Sequence, residues 1–153
     1  MLLTVPEMKK NYIDTGKVRY IFKNFPLSFH AHAQKAAEAV HCAGLSGAGQ
    51  AQGAQGAYWA RHDELFSAKS AWSGLAEVTD AFAGYAEEMG LDVAAFRTCL
   101  ESGQFAAQVA QEVREGQTAG VGGTPSFLIN GQLMVGAYSY SEFEKRIEAE
   151  LAK

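Results

Sequence analysis

The chain has 153 residues, of which 48% are hydrophobic and 20% are charged, and its formal net charge is −4. This length and composition indicate one globular domain, and the absence of a basic tract excludes a nucleic-acid-binding surface. No apolar run approaches the ~20 residues that span a bilayer, and residues 1–7 lack a basic n-region, a long apolar stretch and a small-residue cleavage site. The chain as written is therefore expected to be cytoplasmic and to have no membrane partner.

The N-terminal part predicts one helix and one strand. Residues 4–7 (TVPE) form a capping box with Thr4 as the N-cap, and Gly16 is suited to end the helix that follows. Residues 17–25 (KVRYIFKNF) are rich in β-branched and aromatic side chains, so they predict a strand.

A helical block follows. Apolar periodicity predicts helices over 28–43, 58–70 and 73–89, from Asp92 to Gly103, and from Phe105 to Gly116. Among the residues expected on their buried faces are Phe29, Phe66 and Leu75. Five glycines and a doubled Ala-Gln-Gly unit predict a flexible surface loop over 44–57.

The C-terminal part predicts a β-hairpin and a last helix. Two short apolar strands flank Asn130-Gly131, the dipeptide best suited to a type I′ turn. Pro125 must lie at the start of the first strand, at an edge or at a bulge, and a cis bond is accessible to it. Ser141 and Glu144 predict a second capping box, and the terminal helix is expected to bury an apolar stripe that reaches Leu151.

Several separate segments resemble the DsbA-like family of thioredoxin-fold thiol–disulfide oxidoreductases. They are KNYIDTGKVRYIFKNFPLSFHAHAQKAAEAVHCAG, YWARHDELF, FRTCLESGQF and GVGGTPSFLINGQLMVGAYSYSEFEKRIEAEL, in that order. The resemblance implies an α/β, thioredoxin-like fold with an inserted helical domain. Residues 1–27 and 117–153 would form an incomplete thioredoxin-like subdomain, and residues 28–116 would form the helical insertion.

The resemblance also implies a missing catalytic motif. In the family, a strand ends in a Phe-x-Cys-Pro-x-Cys segment that opens the first long helix, and residues 3–10 resemble the second half of that helix. The first strand and both reactive cysteines are then absent from this chain. Gly123, Thr124 and Pro125 match the family's cis-proline loop, which holds extended substrate.

These implications predict a non-catalytic protein that binds a peptide or a partner chain. One alternative is a thiol–disulfide oxidoreductase that uses Cys42 or Cys99, or that a partner chain completes. Another is a glutathione-dependent enzyme on the same scaffold. Members of the family are often periplasmic or extracytoplasmic, in contrast to the expectation from the N-terminus.

Loss of the first strand has a structural consequence. In the family it lies between the strand near 18–25 and the strand near 126–129, so its removal leaves edges roughly 10 Å apart, twice the strand spacing. Unpaired buried backbone groups are costly, and three solutions remain open: direct pairing of the two strands, a dimer, or a strand donated by a partner. We expect a homodimer that covers the exposed sheet edges.

Cys42 and Cys99 lie 57 positions apart and form no Cys-x-x-Cys motif. Two buried, inert thiols are the reading we favour, a structural disulfide between two helices is the first alternative, and a redox-active thiol is the second.

A metal site is not expected. Zinc would need three or four converging ligands, which the spacing of the four histidines does not supply. These are His30, His32, His41 and His62. No cofactor is expected either.

Overall fold

The computed structural model describes residues 4–46 and 53–153, in which eight α-helices, one π-helical turn and two strands are assigned. The elements are α1 (Thr4–Met8), a π-helical turn (Lys9–Ile13), α2 (Ala33–Ser46), α3 (Gly53–Ser67), α4 (Lys69–Trp72), α5 (Thr79–Glu88), α6 (Val93–Ser102), α7 (Ala106–Thr118), β1 (Ser126–Ile129), β2 (Gln132–Val135) and α8 (Tyr140–Leu151). Within these residues, no helix is both long and apolar enough to cross a bilayer.

The chain folds into two compact units. Unit 1 comprises Met1–Lys23 and Arg114–Lys153, and unit 2 comprises Asn24–Val113. Each unit has its own cluster of buried apolar side chains. A small mixed unit made from both ends of the chain therefore accompanies a helical unit made from its middle.

Unit 1 packs its helices against one face of the hairpin. Met8 and Tyr12 from the first helical segment join Phe143 and Ile147 of α8 around Met134 of β2. The pairs Met8/Tyr12 and Phe143/Ile147 are each spaced by four residues, which places each pair on one side of its helix.

The N-terminus of this helix differs from the prediction. Thr4 lies within α1 instead of capping it, and its hydroxyl donates to the Tyr138 carbonyl at 3.5 Å. The helical segment ends at Ile13, and Gly16, the residue predicted to stop it, follows with φ +75° and donates its N–H to the Ile13 carbonyl.

The hairpin prediction is confirmed. Ser126 pairs with Val135 and Ile129 pairs with Gln132 in an antiparallel ladder, which leaves a two-residue loop. Asn130 has φ +47° and Gly131 has φ +84°, and a type I′ turn requires positive φ at both positions.

The predicted strand over 17–25 is wrong. Among the described residues the sheet has two strands, and 17–25 belong to neither. The segment does keep a period-two pattern: positions 18, 20 and 22 are half-buried, while 19, 21 and 23 are exposed. The β-branched and aromatic side chains thus account for the alternation of half-buried and exposed positions. They do not by themselves make a strand, because a strand also exchanges backbone hydrogen bonds with a neighbouring strand.

Unit 2 is an all-helical cluster around Phe82, Phe96 and Leu100. Asp92 caps α6 as predicted, since its carboxylate accepts from the Ala95 N–H at 3.0 Å. Gly103 ends the same helix in the left-handed region, also as predicted.

Several predicted helix boundaries and buried positions in unit 2 are wrong. Residues 28–32 form turns before α2 begins at Ala33, and Phe29 is 75% exposed. Residues 73–78 are not helical, because α5 begins at Thr79, and Leu75 is exposed. Phe66 is also exposed although it lies in α3.

Two predictions near other boundaries also need correction. The predicted loop over 44–57 is helical at 44–46 and 53–57, and its remaining residues lie outside the described part of the chain. In unit 1, α8 begins at Tyr140 after Ser139, one residue before the predicted capping box, and Leu151 is exposed.

Candidate functional site

The loop Gly123-Thr124-Pro125 leads into β1 in unit 1. Its Thr124–Pro125 peptide bond is cis. The Ser126 hydroxyl donates to the Gly123 carbonyl at 2.6 Å, and the Gly136 N–H donates to the Pro125 carbonyl at 2.9 Å. These bonds fix the loop backbone, while Thr124 is exposed and a side chain built at Gly123 would meet no atom within 4 Å. The loop is therefore held in place and open to solvent.

The two cysteines form a disulfide in unit 2. Cys42 of α2 and Cys99 of α6 have an S–S distance of 2.06 Å, and their side chains are buried. The structure thus contains the first alternative, a bond between two helices, instead of two inert thiols. A thiolate must reach a disulfide sulfur to exchange with it, so burial disfavours exchange at this bond.

Unit 1 contains a cavity of about 340 Å³. Residues 17–21 and residues 128–130 both border it, and these are the two segments that were predicted to flank a missing strand. Buried side chains of Met8, Phe143 and Ile147 contribute an apolar lining. Direct pairing of the two segments, one of the three solutions considered for the gap, does not occur in the described chain.

The backbone of β1 has one paired and one unpaired edge. The bond from the Gly136 N–H to the Pro125 carbonyl, with the register of the ladder, assigns Pro125, Phe127 and Ile129 to the edge that faces β2. Polar backbone groups alternate in direction along a strand, so those of Ser126 and Leu128 face the other edge. In the two-stranded sheet of the described residues, that edge has no neighbouring strand.

A partly buried hydrogen bond holds the side chain of Tyr12, which lines the cavity. The Tyr12 hydroxyl donates to Glu148 Oε1 at 2.8 Å. Burial of the ring and this hydrogen bond both raise the pKa of Tyr12, so the phenol stays protonated and remains a donor at neutral pH. At the tip of the hairpin, Glu150 accepts hydrogen bonds from Asn130 and Gln132.

A buried polar cluster in unit 2 was missed by the sequence analysis. Glu112 Oε2 accepts from the backbone N–H of Asn24 at 2.7 Å and from its Nδ2 at 2.8 Å, and Asn24 Nδ2 lies 3.1 Å from His41 Nε2. Burial opposes the ionised carboxylate, but the interactions with His41 and Asn24 outweigh it and hold the pKa of Glu112 below its usual range. No local motif links positions 88 residues apart, so the sequence offered no signal for this cluster.

The other histidines lie apart from this cluster. His32 Nε2 is 2.7 Å from the Leu75 carbonyl, His62 Nδ1 is 3.0 Å from Asp63 Oδ1, and the His30 ring contacts Phe29. In the described ranges, no three His, Cys, Asp or Glu side chains are placed to hold a metal ion.

Comparison with known proteins identifies relatives along the whole chain. Na(+)/H(+) antiporter NhaA 1 of Salinispora arenicola is 32% identical over 148 residues, which are 96% of this chain and 21% of that protein. Na(+)/H(+) antiporter NhaA 3 of Salinispora tropica is 31% identical over 149 residues, with coverage of 96% and 21%. The chain thus spans about a fifth of the length of these two relatives.

A further relative carries a name related to disulfide chemistry. Probable disulfide bond formation protein D of Bacillus anthracis is 27% identical over 153 residues, which cover 97% of this chain and 65% of that protein. A family model described as Thioredoxin matches residues 2–149, nearly the entire chain. The chain therefore belongs to the thioredoxin family.

Proposed function

We propose that this chain is a DsbA-like member of the thioredoxin family that binds an extended polypeptide and does not exchange disulfides through its own cysteines. The observation that carries this proposal is the arrangement of sulfur. Both cysteines of the 153 residues are used in one buried bond in unit 2, whereas the loop at 123–125 belongs to unit 1.

The loop supports the binding half of the proposal. Its backbone is held by hydrogen bonds at Gly123 and Pro125, and Thr124 projects into solvent. A fixed, exposed backbone segment binds an extended peptide with little loss of its own conformational entropy. The similarity to a disulfide bond formation protein agrees with a polypeptide ligand, and the names of the two antiporters say nothing about such a ligand.

Two measurements test the proposal. In an insulin-reduction assay with dithiothreitol, we expect the chain not to accelerate precipitation above the rate without protein. Faster precipitation that is lost in Cys42→Ser or Cys99→Ser would instead establish the oxidoreductase alternative.

Peptide binding is measured by NMR with an unfolded polypeptide that has no free thiol, such as reduced and alkylated lactalbumin. We expect chemical-shift changes at 122–126 and at least tenfold weaker binding in Gly123→Val, whose new side chain would project into the open space beside the loop. Gly74→Val is the matched control, because Gly74 also has no neighbour within 4 Å and lies in unit 2. Equal binding by both variants would contradict the role of the loop.

The oligomeric state and the location of the chain are proposals. Sedimentation velocity tests the homodimer, which requires a mass twice that of the 16.4 kDa chain. A buried disulfide is typical of an oxidising compartment, so we propose an extracytoplasmic location for the folded chain in place of the cytoplasmic one.

A further inference from the structure

We infer that the cavity in unit 1 is a second polypeptide site, distinct from the loop at 123–125, which accepts one β-strand from a partner protein. The strand is four to five residues long and carries apolar side chains at alternate positions with an acidic residue between them.

The two segments that border the cavity offer free backbone groups. Ser126 and Leu128 direct their polar backbone groups away from β2, and within the described chain the N–H groups of Arg19 and Ile21 donate to no backbone carbonyl. A strand placed between two such edges can pair along both sides, as in other complexes formed by β-strand addition. A small molecule could not satisfy these backbone groups along their whole length.

The lining sets the side-chain pattern. Met8, Phe143 and Ile147 are buried and apolar where they meet the cavity, and residues 18–23 already alternate between half-buried and exposed positions. Because successive side chains of a strand point to opposite faces, every second residue of the bound strand would pack on the apolar lining. The intervening residues would face the side on which Ile21 and Leu128 are exposed.

The charged residues at the border of the cavity account for the acidic residue of the bound strand. Lys17 and Arg19 border the cavity, and Arg19 forms no ion pair with any described residue. Lys17 lies 5.8 Å from the centre of the Tyr12 ring. Glu150, the acidic residue at the border, is neutralised by Lys153 at 2.6 Å. The uncompensated charge is therefore positive, and it complements a carboxylate on the strand.

A second copy of the chain fits this cavity less well. The strands assigned in the described residues are β1 and β2, which pair with each other. A copy could offer the free edge of β1, but such edge-to-edge pairing would not give the N–H groups of Arg19 and Ile21 an acceptor. A separate strand pairs with both segments.

The test uses a fluorescein-labelled hexapeptide with valine at alternate positions and one glutamate between them. We expect saturable binding in fluorescence anisotropy and slower amide exchange at Arg19, Ile21 and Leu128. A peptide of the same sequence with N-methylated valines should bind at least tenfold more weakly, because its valine nitrogens can no longer donate hydrogen bonds to the protein backbone.

Two matched variants locate the site. Ile21→Asp should weaken binding at least tenfold, whereas Val135→Asp should leave it unchanged, since both residues are 57% exposed but Val135 does not border the cavity. Arg19→Glu should invert the preference for the glutamate peptide over its lysine counterpart.

Three outcomes overturn the inference. The first is equal binding of the methylated and unmethylated peptides, and the second is equal loss of binding in Ile21→Asp and Val135→Asp. The third is a dimer in which the Arg19, Ile21 and Leu128 amides are protected without peptide, which would identify a second copy as the occupant. Gly123→Val, which tests the loop, should leave the protection of the Arg19, Ile21 and Leu128 amides by the hexapeptide intact, so failure of either site is distinguishable from failure of the other.

Discussion

Asn24 and Glu112 are joined by two hydrogen bonds inside unit 2, one from the backbone N–H and one from the side-chain amide of Asn24, at 2.7 and 2.8 Å. Both residues are buried, and they lie at the two ends of the chain segment that forms this unit. One ionised carboxylate thus satisfies two buried donors from a stretch that has no secondary structure of its own. His41 completes the cluster and stacks on Phe105 at 5.1 Å between ring centres.

Glu112→Ala should lower the free energy of unfolding by about 1–3 kcal/mol, because it leaves two buried donors of Asn24 without an acceptor. Urea unfolding followed by circular dichroism measures this loss, and Glu112→Gln, which keeps one acceptor oxygen, should lose less. Glu115→Ala is the control, since its half-exposed ion pair with Lys23 should contribute under about 1 kcal/mol. Equal effects at the two positions would show that the buried bonds do not stabilise unit 2.

The local part of the fold could be predicted from the sequence. The hairpin, the Asp92 cap and the left-handed ends at Gly16 and Gly103 follow from the conformational preferences of a few adjacent residues, and the structure contains all of them. The loop at 123–125 was identified by its resemblance to the cis-proline loop of the DsbA-like family, and its binding role stays a proposal.

What could not be predicted depends on distant parts of the chain. Residues 17–25 have the composition and alternation of a strand, but a strand forms only beside another edge. Asn24 and Glu112 carry no motif, and only the folded chain brings them together across 88 positions. Phe29 and Leu75 fit the apolar periodicity of a helix in the sequence. However, α2 and α5 begin after these residues, so neither residue lies on the buried face of a helix.

The hydrogen bonds of Glu77 predict that the stability of the fold depends measurably on pH. Glu77 Oε1 accepts hydrogen bonds from the Thr79 hydroxyl and from the backbone N–H groups of Thr79 and Val78 at 2.6–2.8 Å. These bonds lower the pKa of Glu77 to about 2, and the bond from the Thr79 hydroxyl has the largest effect. Since the pKa in the unfolded chain is about 4.3, the ionised group stabilises the fold above that pH, and its contribution is lost as the pH falls toward 2.

The Glu77 carboxyl carbon, followed by NMR, should therefore titrate near pH 2 in the native chain. Thr79→Val removes the largest cause of the shift and should raise this pKa, and Glu77→Gln should flatten the decline of stability between about pH 4 and 2. A titration of Glu77 near 4.3 in the native chain would contradict the hydrogen-bonded arrangement.

The disulfide between Cys42 and Cys99 should stabilise the chain by about 4 kcal/mol, because a loop of this length restricts the unfolded ensemble. Guanidinium unfolding with and without reductant measures the difference, and the double variant Cys42→Ala/Cys99→Ala should unfold at the midpoint of the reduced protein. Thiol titration of the denatured chain should find none before reduction and two after it. Two thiols before reduction would show that Cys42 and Cys99 are buried, inert thiols and form no disulfide.

Gly131 isolates the backbone requirement of the hairpin turn. Its φ is +84° and a Cβ built on it meets no atom within 4 Å, so Gly131→Ala adds no clash with a neighbour and only the cost of the left-handed conformation. That cost is roughly 1–2 kcal/mol, and it should appear as a lower free energy of unfolding and faster amide exchange in β1 and β2. Gly122→Ala is the matched control: it also lies in open space but without a positive φ, so it should leave stability unchanged or raise it by about 0.4–1 kcal/mol. If the two variants were equally stable, the turn at Asn130-Gly131 would not require its positive φ angles, and the register that directs the backbone polar groups of Leu128 to the unpaired edge of β1 would lose its support.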